Sequence, residues 1–121
     1  MTEAVVDETV KVLSMEEFLS EKDEEFAYID GWKAGTAMRI GSLTAGDLIE
    51  WSEANEGEAK RTAGLRLIVK SMVDKEGRRI GQDKHIPLLR NKSHKTTEAM
   101  VKAILKLNGM STERTPRLIH G

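Results

Sequence analysis

A chain of 121 residues with an apolar fraction of 39% has room for one domain with a modest core, and not for two ordinary domains. It contains no cysteine, which excludes disulfide frameworks, thiolate metal sites and a cysteine nucleophile, and which fits a reducing compartment. The formal net charge of −1 hides a division: residues 1–59 carry 15 Asp and Glu against 4 Lys and Arg, whereas residues 60–106 carry 13 Lys and Arg against 4 Asp and Glu.

That division suits a nucleic-acid surface on the second half, or oppositely charged halves that face each other within one fold or between copies. The second reading is preferred, because an acidic half repels phosphate. No apolar run approaches the roughly 18 residues of a membrane span, and the acidic start of the chain does not read as a secretory signal. The chain is therefore expected to be soluble and cytoplasmic. A domain of this size needs no disulfide or metal to fold.

Residues 1–13 show no clear period and read as a flexible arm. Ser14-Met15-Glu16-Glu17 is a capping box, in which Ser14 and Glu17 satisfy each other's amides. A short helix should follow, with Met15, Phe18 and Leu19 on one face and the acidic run 21–25 ending it. Phe26, Tyr28 and Asp30 then alternate with Ala27 and Ile29. Across Gly31-Trp32-Lys33-Ala34-Gly35, Thr36, Met38 and Ile40 alternate with Ala37, Arg39 and Gly41, so the two segments read as a hairpin. Such a hairpin is marginal in water and must pack on helices. Most of the five aromatic residues, Phe18, Phe26, Tyr28, Trp32 and Trp51, fall in or near this region, which places the expected core there.

Thr44 caps the next helix, with Asp47 at its positive end and Leu48, Ile49 and Trp51 on its apolar side. Asn55-Glu56-Gly57 closes it. A longer helix is expected over 58–73, with Leu65, Ile68, Val69, Met72 and Val73 as its apolar stripe and Lys60, Arg61, Arg66 and Lys70 opposite. Asp74-Lys75-Glu76-Gly77 is a turn with Gly77 at positive φ. A short helix over 83–91 carries Ile86, Leu88 and Leu89, with Pro87 in its first turn. Ser93 or Thr96 caps a last helix bearing Met100, Val101, Ile104, Leu105 and Leu107, and Asn108-Gly109 stops it. Residues 110–121 read as a fraying tail. The expected fold is α+β, mostly α-helical, with one N-terminal β-hairpin packed on the helices of a single domain over 14–109.

Catalysis and metal binding require polar groups that converge, and the sequence offers few. His85, His94 and His120 lack the spacing of a metal-ligating pair on one helical face and read as surface residues. The contiguous carboxylates of Glu16-Glu17 and Asp23-Glu24-Glu25 read as a solvated face rather than an acid–base pair. The turn at Asp74 lacks the alternating ligands of a calcium loop. The glycines between 31 and 41 match neither a phosphate loop nor a dinucleotide fingerprint, and no serine sits in a nucleophile elbow. The expectation is a non-enzymatic protein with no cofactor, no metal site and no small-molecule substrate. The apolar stripes and methionines read first as core. Trp32, at the hairpin tip where folding does not need an aromatic, is the single candidate contact residue.

The order of these elements resembles the tail assembly chaperones of long-tailed bacteriophages. One feature is the hairpin around Ile29-Asp30-Gly31-Trp32 and Met38-Arg39-Ile40, running into Ser42-Leu43-Thr44-Ala45-Gly46-Asp47. A second is Leu67-Ile68-Val69-Lys70-Ser71-Met72-Val73-Asp74 followed by Lys75-Glu76-Gly77-Arg78-Arg79. The third is the amphipathic end from Thr97-Glu98-Ala99-Met100 to Lys106-Leu107-Asn108-Gly109. They cover about residues 26–109, by pattern and order rather than by a binding motif. The resemblance implies a non-catalytic protein that binds the tape measure protein in the host cytoplasm and keeps it soluble. Tail tube protein then displaces it as the tube polymerises, and it is absent from the finished virion. Self-association between oppositely charged halves fits this reading. The competing readings are a small nucleic-acid-binding module using the basic half and a structural virion connector protein.

Overall fold

The computed structural model describes residues 9–110. The arm expected over 1–13 lies outside the described residues up to residue 8, and the tail expected over 110–121 does so from residue 111. Ser14 forms the expected capping box. Its hydroxyl accepts from the Glu17 N–H at 3.2 Å and the Glu17 carboxylate accepts from the Ser14 N–H at 3.0 Å. These bonds open α1 (Met15–Ser20), none of whose residues is buried.

β1 (Phe26–Asp30) and β2 (Ala37–Gly41) pair antiparallel in the register Phe26↔Gly41 to Asp30↔Ala37. Pairing puts Ala27 opposite Ile40 and Ile29 opposite Met38, so these four share the face that meets the core. Tyr28 and Arg39 pair on the other face. Two points of the expected hairpin are corrected. It is not at the N-terminus of the domain, since α1 precedes it, and it belongs to a three-stranded sheet in the order β1-β2-β3.

α2 (Ala45–Ala54) opens on a second capping box, Thr44 with Asp47, and ends at Asn55, where Gly57 turns the chain at φ 61°. The single helix expected over 58–73 is instead three pieces: a 3-10 turn over Gly57–Thr62, α3 (Ala63–Ser71), and β3 (Met72–Val73). The sheet explains the last piece. The backbone leaves the helix at Met72 (φ −70°, ψ 134°), whereupon Met72 pairs with Ile40 and the β-branched Val73 with Arg39. The turn at Asp74 then folds the chain back. Asp74 Oδ1 accepts from the Glu76 and Arg78 N–H groups, Gly77 sits at φ 86°, and the Ile80 N–H donates to the Met72 carbonyl. A second 3-10 turn (Asp83–His85) leads into α4 (Ile86–Leu89), with Pro87 in its first turn.

α5 (His94–Leu107) is capped by Ser93, which accepts from the Thr96 N–H at 3.1 Å. Asn108 ends it. The Asn108 side chain donates to the Ile104 carbonyl and accepts from the Leu43 N–H at 2.7 Å, tying the end of α5 to the β2–α2 connection.

The core forms where β2, α3 and α5 meet: Ile40, Leu67, Ile68, Met100 and Ile104 are buried together. The expected stripe on α3 is thus displaced, since Leu65 is only partly buried while Leu67 is enclosed. Nor do the aromatics make the centre. Trp51 packs at the edge and its indole N–H donates to the Ala63 carbonyl at 2.9 Å, whereas Phe18, Tyr28 and Trp32 are exposed. About half of the described residues are helical, and the helices cover one face of the sheet, which is an α+β architecture.

Gly81 fixes how the returning segment lies on α3. A Cβ there would overlap the backbone of Val69, so no other residue fits without moving the chain. Ile104→Ala, which empties a fully enclosed site, is expected to cost about 2–5 kcal/mol in chemical denaturation. Gly81→Ala should destabilise as well, by backbone displacement. An Ile104→Ala variant of unchanged stability would show that the core is not where α3 and α5 meet, and an unchanged Gly81→Ala that the returning segment does not lie against Val69.

Candidate functional site

The loop between β1 and β2 is closed by its own backbone. The Gly31 N–H donates to the Thr36 carbonyl at 2.8 Å and the Thr36 N–H to the Lys33 carbonyl at 3.1 Å. Gly31 lies so close to Thr36 that a Cβ would overlap the hydroxyl, and Gly35 takes φ 80°. This closed loop carries Trp32, which is 57% exposed and so stands where the sequence placed it, outside the core.

The outward face of the sheet was not singled out from the sequence. Arg39 lies between two rings there, its guanidinium carbon 4.1 Å from the Phe26 centroid and 5.5 Å from that of Tyr28. The same guanidinium donates to the Lys75 carbonyl at 2.8 Å, so the turn after β3 holds it in place. Phe26 closes over Gly41 and Gly77, near Val73. Tyr28 remains 67% exposed at the open side of this cluster. The pairing parity would have found it: with Ile40 inward, its partner Ala27 is inward, and the residue between Ala27 and Ile29 must point out.

Among the described residues, the ion pairs that join the two halves across the fold lie together at the start of α2 and the end of α3. Arg79 donates to the Lys70 carbonyl, to the Ser42 carbonyl at 3.0 Å and to the Asp47 carboxylate at 3.4 Å. Lys70 reaches Glu50 at 3.3 Å. Arg79 therefore clamps the end of α3 and the start of α2 together. Burial opposes ionisation of Asp47 more than any other single influence. The Thr44 amide and hydroxyl, with Arg79 and Lys70, outweigh it and leave the carboxyl below its usual range. The other ion pairs of the described residues are between near neighbours in sequence, for instance Arg61 with Glu58 and Arg78 with Asp74.

The histidines are not brought into one site. His85 Nδ1 accepts from the Gln82 N–H, His94 stands 3.8 Å from Glu98 at the start of α5, and His120 lies outside the described residues. Among the described residues no three His, Asp or Glu side chains are grouped as a metal would need, and no helix is long and apolar enough to cross a membrane. An open polar cleft is lined by Asp23, Glu24, Glu25, Thr44 and the end of α5. A second, apolar pocket of about 300 Å³ lies between α3 and α4, with Ile80 and Leu88 exposed at its edge and Lys92 on its rim. The sequence reading assigned Leu88 to a helix but not to any surface; its exposure follows from α4 being a single turn that can bury only Ile86 fully.

The chain matches no family model, no curated protein and no solved structure.

Asp47 links the clamp to pH. A carboxyl whose folded pKa is depressed contributes stability that is complete above its unfolded pKa, about 3.9, and is lost as pH falls through the lower folded value. The melting temperature of the wild type should therefore fall as pH drops from about 5 to 2, and Asp47→Asn should flatten part of that loss. Identical pH profiles for the two proteins would mean that the clamp contributes nothing.

Proposed function

We propose that this chain is a non-catalytic protein-binding module, and that its client is an apolar helical protein of the kind a phage tail assembly chaperone holds: the tape measure protein. The observation that carries the reading is the exposure of Tyr28 and Trp32 on a hairpin whose shape is fixed by its own hydrogen bonds. Large aromatic side chains held rigidly outside a core offer contact area at little cost in conformational entropy.

The order of elements that underlies the resemblance supports the same reading. The hairpin is followed by the Thr44-capped helix, by a helix that leads into the turn at Gly77, and by an amphipathic helix closed at Gly109. A tape measure protein shows apolar helical surface before its tube is built, and a chaperone must leave when tube subunits arrive. Contacts through a few exposed side chains, rather than one large apolar interface, suit such an exchange because dissociation stays fast. On this reading the chain acts in the host cytoplasm and is left out of the finished particle.

The test is co-expression with a tape measure protein encoded beside this chain. The client's soluble fraction should rise several-fold, and Trp32→Ala and Tyr28→Ala should each reduce that gain; Trp32→Ala should leave the melting temperature nearly unchanged, as surface substitutions do, while Tyr28→Ala, which also loses its contact with Arg39, should lower it by a few degrees at most. A client equally soluble with and without this chain would sink the reading. Tight binding of DNA or RNA with a steep salt dependence would replace it with a nucleic-acid module.

A further inference from the structure

The apolar pocket between α3 and α4 follows from how little α4 can bury. α4 is a single turn that encloses only Ile86, which leaves Leu88 63% exposed and Leu89 partly buried. On the other side, Gly81 lets the returning segment lie directly on the Val69 backbone and brings Ile80 to the same rim. Between them a hollow of about 300 Å³ stays open, with Ile68 and Met72 among its walls. Small-molecule sites span roughly 300–1,000 Å³, so this one suits a single short apolar chain rather than a large ligand.

The polar groups at this hollow are few and of one kind. The His85 N–H donates to the Gln82 carbonyl at 2.8 Å, and the Gln82 N–H donates to His85 Nδ1 at 3.0 Å, so the ring is pinned to its own turn. A backbone N–H can only donate. Nδ1 is therefore the unprotonated nitrogen, and the proton of the neutral ring sits on Nε2, a donor with no protein partner among the described residues. Lys92, exposed and outside the ion pairs of the described residues, adds a cation at the rim. No carboxylate of the described residues lines the hollow, and residues 78–95 around it carry six Lys and Arg against one Asp. The hollow thus offers apolar walls, two donors and a positive surround, which favours an anion with a hydrocarbon tail and disfavours a cation.

We infer that this pocket binds a medium-chain aliphatic carboxylate. The hydrocarbon chain lies against Ile68, Met72, Leu88 and Leu89, and the two carboxylate oxygens accept from His85 Nε2 and Lys92 Nζ. Burial of the chain supplies the affinity, while the two donors orient the head and select its charge. The site is separate from Tyr28 and Trp32, so it goes beyond the client reading and does not depend on it.

The experiment is a titration of the isotope-labelled full chain with sodium octanoate below its micelle concentration, followed by amide chemical shifts. The shifts should saturate and should cluster in α3 and residues 80–92. Octanol, with the same chain and no charge, and butyrate, with the same head and a short chain, should each bind about tenfold more weakly or worse. Lys92→Glu and Leu88→Glu, each at an exposed position, should each weaken octanoate binding by about tenfold or more while circular dichroism shows the fold intact. Trp32→Ala should bind octanoate as the wild type does. Shifts that never saturate overturn the inference, as do octanol binding as tightly as octanoate and pocket variants that bind as well as the wild type. Binding to vesicles of anionic phospholipid without binding to monomeric octanoate also overturns it, and assigns the surface to a membrane instead.

Discussion

Burial of three successive residues of one helix, Leu67, Ile68 and Val69, is the constraint that the rest of the molecule answers to. Successive residues point about 100° apart around a helix, so a helix enclosed at three in a row must be covered over more than half of its circumference. One neighbour cannot do this. α5 covers α3 from one side through Met100 and Ile104, while α2 and α4 approach from others. The remaining close contacts follow from that crowding. Trp51 hydrogen-bonds to the carbonyl that begins α3, Arg79 reaches a carbonyl near its end, and Gly81 lies against its backbone where a side chain would not fit.

With α3 and α5 taking up most of the apolar side chains, little is left to bury the ends of the chain's other elements. α1 has no buried residue, Leu88 faces out of its short helix, and two of the aromatics stand on the hairpin in solvent. In a small domain some apolar exposure is ordinary and carries no message. What distinguishes these residues is that the local structure around them is well determined. α1 has a reciprocal cap, the hairpin loop is closed by backbone hydrogen bonds, and the Arg39 guanidinium is pinned between rings and a carbonyl. Rigid presentation of apolar groups lowers the cost of covering them with another protein.

The features legible in the sequence are those whose partners lie a few residues apart. Ser14 with Glu17, Thr44 with Asp47, Ser93 with Thr96, and the turns at Gly57, Gly77 and Gly109 are all local, and each stands where the residue types place it. The hairpin was legible because alternation and glycine bound it on both sides. What the pattern could not carry were partners distant in sequence. Met72 and Val73 continue the apolar period of α3, yet the open edge of β2 captures them as a strand, since Ile40 and Arg39 lie more than thirty positions away. The stripe itself misled for the same reason, because a period of 3.6 assumes one covered face and α3 has several. Of the candidate contact surface, Trp32 was legible from its place in a loop, whereas Tyr28 and Leu88 required knowing which face each neighbour covers. The charge division was plain in the sequence, but among the described residues only Arg79 and Lys70 carry it across the fold to Asp47 and Glu50.

If the core is organised around α3 while the apolar groups outside it wait for other chains, backbone protection must be divided in the same way. Native-state hydrogen exchange on dilute protein at high salt measures this residue by residue. Amides of α3 and of the middle of α5 should exchange only through global unfolding, with amides of α1 and of the loop around Trp32 within about tenfold of the unfolded rate. Strong protection of α1 under those conditions, or exchange from α3 by local opening, would contradict the account.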